Sequence, residues 1–290
     1  MKNYYKALTA LSLLSSKSSR SSVLGSITSS TTPAKAAQTR AMSDGWSGHW
    51  KDIQNGGNPR WKITSGESHE KAYAHFKKHV LKGDDTNDDA IKNVSVFCPL
   101  AGDDPFVHLL YRKGYSVTAI DLVPEAIEAN KQGFGEDESA WTKAESDDGD
   151  IVWTHKSGRA TLIAGDALKE RSNLNNSFDA VYDKDSFGAL PIELRKPFCK
   201  RIADFTKDKA IVYVECKYRA QGFLGNLMGG LGACMNFGPP FFLEKDDLME
   251  ATNYGDSKFE YVEGLGTVYE LPSMNAVMQQ TGHVLRRTRL

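Results

Sequence analysis

A charge excess of either sign is missing from this chain. Its 290 residues carry 36 Lys and Arg against 37 Asp and Glu, a formal net charge of −1. Binding to nucleic acid or to an anionic membrane draws on a positive excess, and nothing in this balance favours either. Cysteine is scarce. Cys98, Cys199, Cys216 and Cys234 are far apart and form no C-x-x-C. That argues against structural zinc and a disulfide framework, and for buried free thiols in a reducing compartment. The apolar stretch Ala7–Leu14 is too short to span a bilayer, and no other stretch reads as a membrane span. The seven histidines are scattered without metal-ligand spacing, and no Ser/His/Asp array is evident.

Acidic residues are absent before Asp44, while Lys2, Lys6, Lys17, Arg20, Lys35 and Arg40 lie in a Ser-, Thr- and Ala-rich background. Residues 1–43 therefore read as a presequence-like disordered segment addressed to a mitochondrion or plastid. The alternative is a disordered tail on a cytoplasmic enzyme. The folded domain is expected over residues 44–290, large enough for one α/β core.

The stretch Val94–Asp121 organises that domain. Val94–Leu100 is a short apolar, β-branched run and reads as a buried strand. Ala101-Gly102-Asp103-Asp104 is a turn, with Asp104 placed to cap a helix that opens with Pro105. Lys113-Gly114 close that helix, and Tyr115–Ile120 is a second strand ending on Asp121. An acid about twenty residues after the turn glycine can accept hydrogen bonds from ribose hydroxyls. The turn has one glycine where a dinucleotide fingerprint has three. Close approach to a pyrophosphate needs those glycines, so a cofactor with a ribose and no phosphate fits better. S-adenosylmethionine is such a cofactor. An ordinary α/β crossover shows the same order of elements.

Upstream, Trp46 and Trp50 lie four apart, Trp61 follows a Gly/Asn/Pro-rich loop, and Ser68–Leu81 reads as an amphipathic helix. Downstream, Pro124 opens a helix with Ala126, Ile127 and Asn130 along one flank. Gly133–Asp150 is acidic and reads as a mobile surface insertion. Ile151–His155 and Ala160–Ala164 suggest a hairpin, followed by Gly165-Asp166 at a strand end. Phe178–Tyr182 and Ala210–Glu215 are strands. The helix opening at Pro191 should be kinked or restarted by Pro197. Tyr218–Phe237 interleaves glycines with large apolar residues and reads as a loop that could close over a small substrate. A short helix over Asp246–Thr252 and strands over Phe259–Val262 and Val284–Thr288 complete the chain. Alternating strands and helices predict a Rossmann-like parallel sheet with helices on both faces.

Taken together these pieces resemble the thiopurine S-methyltransferase family, which includes halide and thiol methyltransferases. The likeness runs from Trp46 to the C-terminus. It rests on Trp46-x-x-x-Trp50, Phe97-Cys98-Pro99-Leu100-Ala101-Gly102, Gly114-Tyr115-Ser116-Val117 with Ile120-Asp121, and Phe178-Asp179-Ala180-Val181-Tyr182-Asp183-Lys184. Leu190-Pro191-x-Glu193-Leu194-Arg195 and Gly238-Pro239-Pro240-Phe241 follow in the same order. The resemblance implies a seven-stranded methyltransferase sheet and S-adenosylmethionine as cofactor, with S-adenosylhomocysteine as its product and no metal. Carried over by position, Trp46 and Trp50 cover the cofactor, Leu100 and Gly102 line its methionine end, Asp121 holds the ribose, and Gly165 and Asp166 sit by the adenine. Trp61 and Phe241 face the acceptor. Lys184 stands where the family usually has arginine, and Asp185 where it has a small residue.

Methyl transfer from a sulfonium is a displacement on an already activated carbon. A thiolate or halide needs little base, so alignment and desolvation are the enzyme's share. Lys184 is expected to orient an anionic nucleophile, and Asp183 to hold the cofactor's amino group or orient Lys184; Lys184 also counts among the cofactor residues. The expected acceptor is a small-molecule thiol, with halide or bisulfide as the alternative, and the expected state is a monomer. A non-enzymatic relic that binds S-adenosylmethionine and a partner is a third reading.

Overall fold

The computed structural model describes residues 47–48, 50–53, 55–57, 66–82, 88–147, 149–219, 248, 257–269 and 278–289. In chain order its strands are β1 Ser95–Pro99, β2 Ser116–Asp121, β3 Trp141–Glu145, β4 Ile151–His155, β5 Ala160–Ala164, β6 Phe178–Lys184, β7 Thr206–Arg219, β8 Ser257–Tyr269 and β9 Met278–Arg289. The α-helices are α1 Gly66–Val80, α2 Asp88–Ile91, α3 Pro105–Lys113, α4 Pro124–Gln132, α5 Ser186–Ala189 and α6 Ile192–Phe205. All nine described strands join one sheet in the order β3-β4-β5-β2-β1-β6-β7-β9-β8. The stretch β5-β2-β1-β6-β7 is parallel, while β9 and then β8 add antiparallel. β1 lies between β2 and β6, so the chain leaves β1 on one side and later returns on the other. That switch opens a crevice beyond the C-terminal ends of β1 and β6.

The local chemistry of α3 follows its sequence. The Asp104 carboxylate accepts the Phe106 N–H at 2.9 Å and Pro105 fills the first helical position. Gly114, at φ +107°, ends the helix by donating its N–H to the Leu110 and Tyr111 carbonyls. The sheet separates two cores. On one face Phe106 stacks on Tyr182 with ring centroids 3.9 Å apart, and Tyr182 on Tyr213 at 5.7 Å. Phe76 of α1 meets Phe106, Tyr115 and Tyr213 edge-on. On the other face Phe97 stacks on Phe178 at 5.1 Å and meets Phe205 of α6 edge-on. Adjacent β1 residues serve opposite cores: Val96 and Cys98 the first, Phe97 the second.

The α/β class and the β4–β5 hairpin match the sequence reading. The strand number does not: the described residues form nine strands where seven were expected. The stretch Gly133–Asp150, expected as a mobile surface insertion, supplies β3, which pairs with β4 across the whole of Trp141–Glu145. Only Trp141 of that strand is buried; the four residues after it are exposed, and their Lys143 and Glu145 blunt the sheet edge. Pro197 does not restart its helix. α6 begins at Ile192 and runs through it. β7 also extends to Arg219, into the start of the stretch expected to be a glycine-rich loop, because β9 pairs with it as far as Arg219–Met278. Trp46, Trp61, Phe241, Cys234 and residues 220–237 lie outside the described residues, as does the 246–252 helix apart from Leu248. Cys98, Cys199 and Cys216 are free and buried.

Phe76 is fully buried against three other aromatic rings. Phe76→Ala should lower stability by about 3–5 kcal/mol in urea titrations followed by far-UV circular dichroism.

Candidate active site

The turn from β1 into α3 is held by side chains from three other elements. Gly102 adopts φ +53° and donates its N–H to Asp121 Oδ2 at 3.0 Å. Asp121 Oδ1 accepts the Val123 N–H at 3.0 Å. Asn130 of α4 donates its side-chain amide to the Gly102 carbonyl at 2.9 Å. The buried Trp50 ring lies on the same turn: a Cβ at Gly102 would sit 3.4 Å from its Cζ2. A side chain at Gly102 would therefore meet both backbone strain and the indole. Leu100, just before it, also has positive φ, at +44°. The Gly165 N–H donates to the Asp121 carbonyl at 2.8 Å. Trp50, Leu100, Gly102, Asp121 and Gly165, five of the residues expected at the cofactor, thus meet at adjacent strand ends. Backbone amides reach both Asp121 carboxylate oxygens, with Leu122 N–H a third donor beside Gly102 and Val123. Burial pushes this carboxyl up to about 6, against the pull of the Val123, Gly102 and Leu122 amides.

Behind β5 a buried ion pair shapes the next loop. Arg171 Nε and Nη2 donate to Asp150 Oδ2 at 3.0 and 2.8 Å, and Nη1 donates to the Asp166 carbonyl at 2.7 Å. Asp166 itself accepts the Leu168 N–H through Oδ1 at 2.8 Å. A Cβ at Gly165 would fall 2.4 Å from Asp150 Oδ1 and 2.8 Å from Arg171 Nη2, so this position takes only glycine.

At the end of β6 the expected catalytic residues part company. Lys184 Nζ lies 3.6 Å from Asp104 Oδ2, so its charge has a counterion already. Burial works against the Lys184 ammonium, but the Asp104, Asp185 and Glu215 carboxyls outweigh it and hold its pKa above the ordinary lysine value. Asp183 Oδ1 accepts the Ser186 N–H at 3.0 Å, and the Ser186 hydroxyl donates to the Pro99 carbonyl at 3.1 Å. Asp183 is therefore engaged with the backbone of α5. Burial pushes its carboxyl up to about 7. Asp185, at φ +63°, is bound by Lys217 Nζ and by Gln280 Nε2 at 3.0 Å. Glu215, opposite Lys184 in the β6–β7 register, accepts the Tyr213 hydroxyl at 3.0 Å, and burial pushes it up to about 8. A small cleft lies between the β1–α3 turn and β6; Leu100, Ala101, Asp104, Tyr182 and Lys184 are among its walls.

Sequence reasoning missed Asn130, Asp150, Arg171 and Glu215 as site residues, and saw Asp104 only as a helix cap. Asn130 did leave a signal, being a polar residue on the apolar flank of its helix. Asp150 and Arg171 left none. Among the described residues, no group of three His, Cys, Asp or Glu side chains is placed to hold a metal ion.

The family model for thiopurine S-methyltransferase matches residues 58–270, well over half of the chain. The thiopurine S-methyltransferase of Psychrobacter cryohalolentis is 26% identical over 117 residues, 39% of this chain and 52% of that protein. The chain thus spans about half the length of the curated relative it matches. A magnesium protoporphyrin IX methyltransferase from Synechocystis, solved with bound S-adenosylhomocysteine, superposes with a TM-score of 0.52 at 12% identity, covering 88% of this chain and 99% of that one. The 1,6-didemethyltoxoflavin-N1-methyltransferase of Burkholderia thailandensis, solved with its substrate and S-adenosylhomocysteine, gives 0.51 at 13% identity, covering 91% and 93%. At these identities the two structures show a shared fold.

Asn130→Leu removes the donor to the Gly102 carbonyl, and a carbonyl left unpaired at a buried site costs about 1–3 kcal/mol. The expected outcome is a stability loss of that size in denaturant titrations. Faster hydrogen exchange at the Gly102 amide than at β7 amides should accompany it.

Proposed function

This chain belongs to the thiopurine S-methyltransferase family, and we propose from that premise that it transfers a methyl group from S-adenosylmethionine to the sulfur of a small-molecule thiol. The observation that carries the reading is the half-buried Asp121 carboxylate clasping the Gly102 turn beneath Trp50. The residues fit the cofactor on three counts. Asp121 offers a partly exposed carboxylate at a strand end, where a ribose diol can donate. Gly102 and Gly165 have no side chain of their own, which lets Trp50 pack on the first and the Asp150–Arg171 pair on the second, fixing the backbone of the crevice. The cleft beside Leu100 carries one cation and one anion, which suits an amino-acid end.

When bound, S-adenosylmethionine supplies a methyl group already activated on a sulfonium centre. The chain's own residues hold and shield. Asp121 takes the ribose hydroxyls, while Gly165 and Asp166 border the adenine. Trp50 covers the turn, and we assign Trp46 to the same role. Covering the turn excludes water, which strengthens each polar contact beneath it. Lys184 is assigned to the methionine end, because its pairing with Asp104 leaves little net charge to attract an anionic nucleophile. Asp183 is assigned a supporting role through Ser186. Trp61 and Phe241 remain our choices for the acceptor side. Halide or bisulfide is the second reading for the acceptor, and a binding relic the third.

The test is methyl transfer from labelled S-adenosylmethionine by the full chain to a thiopurine, thiophenol, bisulfide and iodide, side by side. Turnover on the aromatic thiols supports the proposal. Turnover on iodide or bisulfide alone moves the chain to the halide branch, and binding of S-adenosylhomocysteine without any turnover supports the relic.

Asp121→Ala should weaken S-adenosylhomocysteine binding on the order of tenfold to a hundredfold by calorimetry, the worth of hydrogen bonds to a charged group. The pH dependence has a definite sign. Ribose hydroxyls donate to the ionised carboxylate, so affinity should be flat above pH 7 and fall as pH drops through about 6. At pH 5 only about a tenth of the sites are ionised, and the apparent Kd should rise about tenfold. Asp121→Asn should flatten that profile.

We further propose that residues 1–43 carry the chain to a mitochondrion or plastid. A fluorescent fusion of the full chain should co-localise with an organelle marker, and one lacking residues 1–41 should stay in the cytosol. Cytosolic signal from both would end the idea.

A further inference from the structure

We propose that Asp104 is a cofactor-binding residue that receives an ammonium group, the α-ammonium at the methionine end of S-adenosylmethionine. The inference rests on the cofactor reading above and adds to it a residue that was first recognised only as a helix cap.

Three observations carry it. First, the two Asp104 oxygens differ. Oδ1 is satisfied by the Phe106 N–H at 2.9 Å. Among the described residues, Oδ2 has only long contacts, 3.4 Å to the Tyr182 hydroxyl and 3.6 Å to Lys184 Nζ. Charge-assisted hydrogen bonds run at about 2.7–2.9 Å, so Oδ2 can still take a close cationic donor. Second, the carboxylate is nearly buried, at 8% exposure, yet it lines the cleft with Leu100, Ala101 and Lys184. A buried anion with loose partners on a cavity wall is an unfinished hydrogen-bond site. Third, the position fits. The Asp104 N–H donates to the Ala101 carbonyl at 3.0 Å, closing the same turn whose Gly102 N–H bonds Asp121. The ribose acceptor and the Asp104–Lys184 pair thus flank one four-residue turn.

An α-amino acid end carries an ammonium and a carboxylate on one carbon. The Asp104–Lys184 pair presents the complementary charges side by side, so both ligand charges find a partner and no charge is buried alone. An ammonium on the methyl acceptor has the same chemistry as the cofactor's, and the experiment separates the two sources.

The test is calorimetric titration of the full chain and of Asp104→Asn with three ligands. These are S-adenosylhomocysteine, its desamino analogue, and 5′-methylthioadenosine, which has the adenosine but no amino-acid end. Asn is as good a helix cap as Asp, so the variant should fold, and a matching thermal melt checks this. The expected result is a loss on the order of tenfold to a hundredfold for S-adenosylhomocysteine, with the other two ligands within about twofold of wild type. Equal loss on all three ligands would make Asp104 a structural residue and overturn the proposal. So would unchanged S-adenosylhomocysteine affinity. If that came with a raised KM for cysteamine over thiophenol, the ammonium partner would be the acceptor's. Failure of the wild-type chain to bind any of the three would overturn the cofactor reading itself. Asp104→Ser, which keeps a capping oxygen but shortens the side chain, should repeat the selective loss.

Discussion

The hydrogen bond from the Gly102 amide to the Asp121 carboxylate ties the rest of the site together. It joins the ends of β1 and β2, two parallel strands whose side-by-side pairing brings turn and acid together. Burying a carboxylate is costly, and the backbone amides that surround this one recover only part of the cost. The residue therefore keeps a carboxyl that titrates near 6, well above its ordinary value. A buried acid of this kind does little for stability. It makes sense where a ligand completes its hydrogen bonds. Asn130 and Trp50 then act on the same turn from two further directions, one fixing the Gly102 carbonyl and the other covering its Cα. The single glycine of the turn is enough for the approach of the Trp50 indole, and the cofactor proposed for the site has no pyrophosphate to seat.

Much of this was legible in order along the chain. The apolar run, the turn glycine, the capping Asp104 and the acid at the strand end are local signals, and each fell where expected. What was not legible depends on pairing across the fold. β3 shows one buried residue in five, so its strand character comes from β4 alone. The last residues of β7 are extended because β9 runs beside them. Asp150 and Arg171 are 21 positions apart with no pattern between them, and only the packing of Gly165 reveals why they meet. Asp104 was hidden differently. Its capping role explained it fully at the level of the sequence, and its second oxygen found Lys184 only once β6 was placed beside β1.

The charges at the strand ends repeat on a small scale the neutrality of the whole chain. Lys184 has Asp104, Lys217 has Asp185, and Arg171 has Asp150, each pair at least nearly buried. Buried pairs are weak stabilisers, because desolvation offsets most of their attraction. Three of them along one rim of the sheet are better explained by positioning than by stability. Glu215 has no such pair among the described residues, and burial pushes its carboxyl up to about 8. At neutral pH it holds a proton that the unfolded chain would release near the ordinary carboxyl value. Its contribution to stability is therefore complete at low pH and is lost as pH rises towards 8.

This neutrality constrains what the cleft accepts. A ligand with a lone negative charge near Lys184 would compete with Asp104 for the same ammonium and leave the carboxylate unpartnered. A ligand with a lone positive charge would do the reverse. A zwitterion, or a neutral group, disturbs neither. The cation at the end of β6 is therefore poorly suited to drawing in a free anion, and well suited to a ligand that brings both signs at once. On that ground the proposed thiol acceptor is expected to enter uncharged, without drawing on the Asp104–Lys184 pair.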